Sequence, residues 1–217
     1  MELGGKPIFA GYEPCMCDGA IRQRELAEKA EAERERRERE QAKLKAYENA
    51  GISPRFLNAS HPRAVECADA VHGGRNLYVF GEVGTMKTTL VSAVTKNLVD
   101  RKLSVRFTSM WRVLDAIKAG FNDNYDPLPA YQRVQVLVLD DLGKESPTDF
   151  ALERLFALVD ERYNNLLPTI VTTKYKPGML LDRLAKNGDR DTAKDVISRL
   201  RQDCLMVELA GGDRRRG

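Results

Sequence analysis

Long apolar runs are missing from this sequence. Stretches such as Val136-Leu137-Val138-Leu139 fall far short of the roughly 20 residues that cross a bilayer, which argues against a helical membrane anchor. A disulfide framework is also missing: Cys15, Cys17, Cys67 and Cys204 have irregular spacing, and no basic-then-apolar signal segment precedes them, so a reducing cytoplasm is the expected setting. Nor is there a set of metal ligands. Cys15 and Cys17 have only His61, Cys67 and His72 as distant companions, whereas zinc sites show ligand pairs at both ends. Charge of one sign is lacking as well. With 35 basic and 32 acidic residues the formal net charge is +3, so any contact with nucleic acid must come from local clustering rather than from a global field.

What is present is enough for one core. A chain of 217 residues, 42% of them hydrophobic, supports a single α/β domain with an appendage. Residues 1 to about 20 show no periodicity and read as irregular. From Arg22 to Glu48 the chain alternates charges, with Glu25/Lys29, Glu33/Arg37 and Glu35/Arg39 in the favourable i,i+4 order for a helix. Its apolar positions, Leu26, Ala30, Ala42 and Leu44, are too sparse for a coiled-coil seam; a solvated helix and a partner-docking arm both remain open.

After Gly51 the texture changes, with Pro54 and Pro62 marking turns. Strand patterns at 76–80, 105–108, 135–139, 169–172 and 205–209 alternate with helical patterns at 87–99, 111–119, 150–164, 179–186 and 192–201. That alternation predicts an α/β fold with a parallel sheet between helices, which binds ligands at the carboxyl ends of the strands. The expected organisation is an arm over 1–50, a core over 51–212 and a basic tail over 213–217, where Arg214-Arg215-Arg216 are more simply solvated than bound to phosphate. Trp111, Val113, Leu114 and Ile117 have helical spacing and read as core rather than as a base-stacking platform.

The most informative segment follows the first strand: Gly81-Glu82-Val83-Gly84-Thr85-Met86-Lys87-Thr88-Thr89. A glycine-rich loop between a strand and a helix surrounds phosphates with backbone N–H groups and the positive end of the helix dipole. Lys87 is placed to neutralise the outer phosphate oxygens and the hydroxyl of Thr88 to hold magnesium. The pattern departs at Met86, where glycine is expected and a side chain would crowd the backbone. The apolar run 136–139 then ends in Asp140-Asp141. Two carboxylates at the ligand edge of a buried strand fit Mg²⁺ and water chemistry: Asp140 in the metal shell, Asp141 orienting or deprotonating the attacking water.

The phosphate loop, 138–143, Glu153-Arg154-Leu155-Phe156 with Asp160-Glu161-Arg162-Tyr163, Pro168-Thr169-Ile170-Val171-Thr172-Thr173 and Ser198-Arg199-Leu200 together resemble the DnaC-type helicase loaders and the related IstB transposition ATPases, over about residues 50–210. The resemblance implies a P-loop AAA+ core that binds ATP and Mg²⁺, without the usual C-terminal lid, and the end of the chain soon after Leu209 agrees with this. It also implies a polar sensor after the strand ending at Thr172. The family usually has Asn where this chain has Lys174, so Thr173 is the neighbouring candidate. Arg199, with Arg201 as the alternative, takes the arginine-finger position, reaching a neighbouring subunit's γ-phosphate in a homo-oligomer. The implied activity is ATP-driven loading of a DnaB-type replicative helicase onto single-stranded DNA. An IstB-like transposition helper and an adaptor that binds ATP without efficient hydrolysis are the alternatives.

Overall fold

A computed structural model describes residues 17–121 and 125–212. The readings made for residues 1–16 and for the basic tail at 213–217 lie outside the described residues. The elements, in chain order, are helix α1 (Asp18–Asn49), a 3-10 turn (Pro54–Phe56), α2 (Ala64–His72), β1 (Asn76–Phe80), α3 (Lys87–Asp100), β2 (Val105–Thr108), α4 (Met110–Gly120) and α5 (Leu128–Arg133). They continue with β3 (Val136–Leu139), α6 (Asp149–Asn164), β4 (Thr169–Thr173), α7 (Pro177–Leu184), a second 3-10 turn (Ala185–Asn187), α8 (Arg190–Arg201) and β5 (Cys204–Glu208). Every strand and helix expected within the core is present within two residues at each end, the charged helix begins four residues earlier than expected, and α2 and α5 are additional.

The chain divides into two compact units at Ala42/Lys43, earlier than the boundary expected from composition. The described part of the first unit belongs to α1. Two of the three anticipated pairs form there, Arg37 to Glu33 at 2.5 Å and Arg39 to Glu35 at 3.3 Å, and Arg34 joins Glu38 at 2.8 Å. All six side chains are exposed, so each pair adds only about 0.3–0.5 kcal/mol. The last turns of α1 belong to the second unit. There Tyr47 is buried, and its hydroxyl donates to Asp100 at 2.8 Å while Lys43 pairs with the same carboxylate at 3.2 Å.

The second unit is a five-stranded, all-parallel sheet in the order β2-β3-β4-β1-β5. Successive side chains of a strand point to opposite faces. Leu77 and Val79 of β1, Val136 and Val138 of β3 and Ile170 of β4 therefore pack with α2 and α3. Tyr78, Phe80, Leu137, Leu139 and Val171 pack on the other face with α4, α6, α7 and α8. The outer edge of β2 is partly covered, because Phe107 N donates to Ala50 O at 2.6 Å, which blunts an exposed ladder. Gly51 permits this approach, since a Cβ there would lie 2.3 Å from Phe107 O.

One side chain departs from the sequence reading, and one buried charge had no reading there. Met110, Val113, Leu114 and Ile117 form the buried face of α4, whereas Trp111 is 53% exposed with Arg112 over its ring. Trp111 and Val113 are two positions apart, roughly 200° around a helix, so they cannot share a face. Arg162 of α6, a charged residue in a polar-looking segment, is fully buried. Its guanidinium donates to the carbonyls of Tyr131, Gln132, Val134, Gln135 and Pro168 and to Thr169 Oγ1. It ties the chain before β3 to the start of β4, and burial holds its pKa down to about 9.

Candidate nucleotide-binding site

The carboxyl ends of β1, β3 and β4 are neighbours in the sheet, so the residues following them converge. After β1 the chain makes the glycine-rich loop and turns into α3. Gly81 takes φ +150°, and a Cβ there would lie 2.2 Å from Leu209 O; no other residue fits without moving the chain just after β5. Met86, the last residue before α3, is left-handed at φ 68° and ψ 25°. The usual preference for glycine at this position therefore has its cause in the backbone as well as in crowding, because a left-handed residue with a Cβ costs roughly 1–2 kcal/mol. Met86→Gly is expected to raise the unfolding temperature and tighten nucleotide binding. Thermal unfolding without ligand and calorimetric titration with ATP check the two effects, and lower values of both would mean that glycine's added freedom outweighs the relief.

The loop borders a cleft of about 530 Å³, walled by residues 83–89, by Asp141, Leu142 and Lys144, and by Lys174 and Tyr175. Arg55, Phe56, Asn58 and Ala59 close its far side. This last wall was unreadable in the sequence: a 3-10 turn has no periodicity, and Lys96 of α3 holds it in place by donating to Ala59 O at 3.1 Å. Gly81 and Glu82 lie behind the wall, where their carbonyls each accept from Lys87 Nζ at 2.7 Å. Burial pulls the Lys87 ammonium below its ordinary pKa, and the nearby carboxylates of Asp141 and Asp140 oppose that shift.

One of the two carboxylates bonds to the loop. Thr88 Oγ1 donates to both oxygens of Asp140, at 3.2 and 3.1 Å. Thr172 Oγ1 donates to Asp140 Oδ1 at 2.5 Å and accepts from Asp141 N at 2.8 Å. Thr172 was not foreseen as part of the site; it is one of three threonines on a strand buried throughout, and nothing local sets it apart. Burial raises the Asp140 carboxyl above the ordinary range, and the hydrogen bonds from Thr172 and Thr88 pull it back. Asp141 is left-handed at φ 59°, and its carboxylate pairs with Lys144 Nζ at 2.5 Å. A hydroxyl at the start of a helix facing a half-buried carboxylate is a donor set that fits a hard divalent ion through oxygen and water.

Two candidates lie elsewhere. Thr173 is fully buried and spends its hydroxyl on Leu142 O at 2.7 Å; Lys174, not Thr173, lines the cleft. Arg199 borders a hollow with Asn76 and Thr169, the first residues of β1 and β4, so the length of the sheet separates it from its own phosphate loop. Its Nε is 2.7 Å from Asp160 Oδ1, an ion pair by distance although the N–H is not aimed along the contact. The guanidinium also stacks over Phe156 at 5.0 Å. Among the described residues no group of three or more His, Cys, Asp or Glu side chains could hold a metal, and no helix is long and apolar enough to cross a membrane. Cys67 and Cys204 have thiols pushed up by burial, the latter to about 11.

A parallel sheet between helices with a phosphate loop after one central strand and paired acids after its neighbour defines a P-loop protein of the AAA+ type. The chain matches the model of the IstB-like ATP binding protein family over residues 19–216 and belongs to that family. It is similar to protein YqaM of Bacillus subtilis (strain 168), 26% identical over 146 residues, 64% of this chain and 47% of YqaM. Similarity to the replicative helicase loader DnaI of the same organism is 24% over 149 residues, 65% of this chain and 48% of DnaI. The chain thus spans about half the length of the curated relatives it matches. Among solved structures, the DnaC helicase loader superposes with a TM-score of 0.60 at 26% identity, covering 73% of this chain and 100% of that one.

Proposed function

We propose that this chain is a cytoplasmic, ATP-dependent loader that delivers a DnaB-type replicative helicase to single-stranded DNA. The observation that carries the reading is a cleft lined by the phosphate loop and Asp141, with Asp140 bonded to Thr88 of that loop, on a core that covers the whole of a solved helicase-loader chain. Residues 83–89 would hold the phosphates of ATP, with Thr88 and Asp140 holding Mg²⁺. The bound metal would neutralise charge developing on the phosphates. Asp141 would then orient or deprotonate water once its pairing with Lys144 opens. Arg199 cannot serve its own cleft from the opposite edge of the sheet, so it would act on a neighbouring copy, and an isolated chain would hydrolyse ATP weakly.

The arm would carry the helicase. Between Arg22 and Glu48 nine basic residues face eight acidic ones, which leaves little net attraction for DNA, and of all α1 only Tyr47 is buried. With Tyr47 buried and bonded to Asp100, a truncation that spares the core begins at Lys43. A chain beginning at Lys43 is expected to keep ATP affinity and weak, salt-sensitive single-strand binding while capture of a DnaB-type helicase is lost. Parallel pull-down and titration of the two lengths check this, and undiminished capture by the shorter chain would move the partner surface onto the core. The kinship to IstB that the family's description names is the ground for one second reading, a transposition helper; capture of a transposase in place of the helicase would select it.

A further inference from the structure

We propose that Arg183 of α7 is a positioning residue for ATP hydrolysis: it fixes the loop that follows β3, and through that loop the direction of the Asp141 carboxylate, without touching the nucleotide; this rests on the nucleotide reading above. Beyond β3 the chain turns sharply, and both Asp141, at φ 59°, and Gly143, at φ 90°, are left-handed. A left-handed residue with a Cβ is disfavoured, so Asp141 keeps that backbone only where its surroundings impose it. On one side β4 imposes it. Asp141 N donates to Thr172 Oγ1 and Leu142 N to Thr172 O, each at 2.8 Å, while Thr173 Oγ1 donates to Leu142 O at 2.7 Å.

On the other side the loop is held by α7. Arg183 Nε donates to Gly143 O at 3.0 Å and its Nη2 to Glu145 O at 3.1 Å, so one guanidinium spans both carbonyls. The Glu145 carboxylate accepts from Gly143 N at 3.1 and 3.0 Å, which closes the turn from within. Gly143 also lies against α7, since a Cβ there would be 2.9 Å from Leu180 Cδ1. Arg183 is half-buried and borders a small hollow with Gly143, Glu145 and Thr148; it is not part of the cleft wall. Losing its two bonds would leave the Thr172 bonds in place but free the loop two and four residues beyond Asp141. A misplacement of about 1 Å at a reacting group costs on the order of 100-fold in rate, and it does so without altering the ground-state contacts of the phosphates. Lysine carries a point charge and no fork, so it would replace only part of this tie.

The test compares the full chain as wild type, Arg183→Ala and Arg183→Lys, with DNA and helicase supplied for turnover and ATP titrated calorimetrically. Arg183→Ala is expected to lower kcat about 10- to 100-fold while the dissociation constant for ATP changes less than about twofold. The lysine variant should fall between, with a loss of about threefold to tenfold, and it makes the same comparison if the alanine variant does not fold. Hydrogen exchange gives a readout apart from activity: the amides of Gly143 and Lys144 should exchange faster in both variants, with those of residues 83–89 unchanged. Unchanged kcat, or a loss of ATP affinity as large as the loss of kcat, would overturn the assignment while leaving the nucleotide site intact. Faster exchange spread over the whole core would overturn it too, because Arg183 would then serve general stability. A wild type that binds no ATP, or binds it without turnover, would instead remove the parent reading and this one with it.

Discussion

Lys87→Ala is expected to reduce Mg-ATP binding below detection in an ordinary titration. The ammonium is held inside the loop by the carbonyls of Gly81 and Glu82, beside the cleft that would take the phosphates. Alanine leaves those phosphate oxygens desolvated and without a counter-charge. A charge-assisted contact of this kind is worth about 2–4 kcal/mol, or roughly 30- to 1000-fold in affinity. The fold should survive, because Gly81 and Glu82 sit at a loop where water can reach their carbonyls. Calorimetry with ATP, alongside a thermal unfolding curve of the same sample, separates the two effects. Equal affinity of mutant and wild type would remove the phosphate-loop assignment.

The second large effect separates binding from turnover. Asp141→Asn is expected to lower ATP hydrolysis by about two to four orders of magnitude while nucleotide affinity stays near wild type. Asparagine tolerates the left-handed backbone of this position, and the bond from residue 141 N to Thr172 Oγ1 does not involve the side chain. Asp140→Asn should behave differently. It replaces the carboxylate that Thr88 and Thr172 both reach, so the dependence of affinity on Mg²⁺ should weaken as well as the rate. Steady-state turnover and Mg²⁺ titrations of both variants, with DNA and helicase supplied, make the comparison. Identical phenotypes would merge the two roles. A wild type that does not turn over at all would favour an adaptor that binds ATP without hydrolysing it.

Much of this site could be read in advance because its chemistry is local. Residues 81–89 carry their own turn, their own helix start and their own charge, and the acid pair announces itself by following four buried aliphatic residues. What escaped the reading has weak local signals. Helix α2 buries Ala64, Cys67, Ala68 and Val71, a face at helical spacing but of small side chains, and α5 is only six residues long. Nothing in the local sequence marks Arg162 as buried; the carbonyls of the chain before β3 and of Pro168 close around it. Thr173 and Lys174 differ in outcome because strand side chains alternate between faces, and the sequence does not say which of two successive polar residues ends up buried.

The division follows range. Period-2 and period-3.6 patterning, loop glycines and a lysine next to a threonine act over a few residues, so the sequence by itself determined the strands, the long helices, the phosphate loop and the family resemblance. Strand order depends on contacts between segments far apart in the chain. Only the tertiary structure could place β4 between β3 and β1, and so bring Lys174 beside the phosphate loop and Thr172 under both aspartates. The same long-range packing put Arg199 at the opposite edge of the sheet and anchored the last turns of α1 through Tyr47, because burial and ion pairing there depend on partners, Asp160 and Asp100, that no local pattern names.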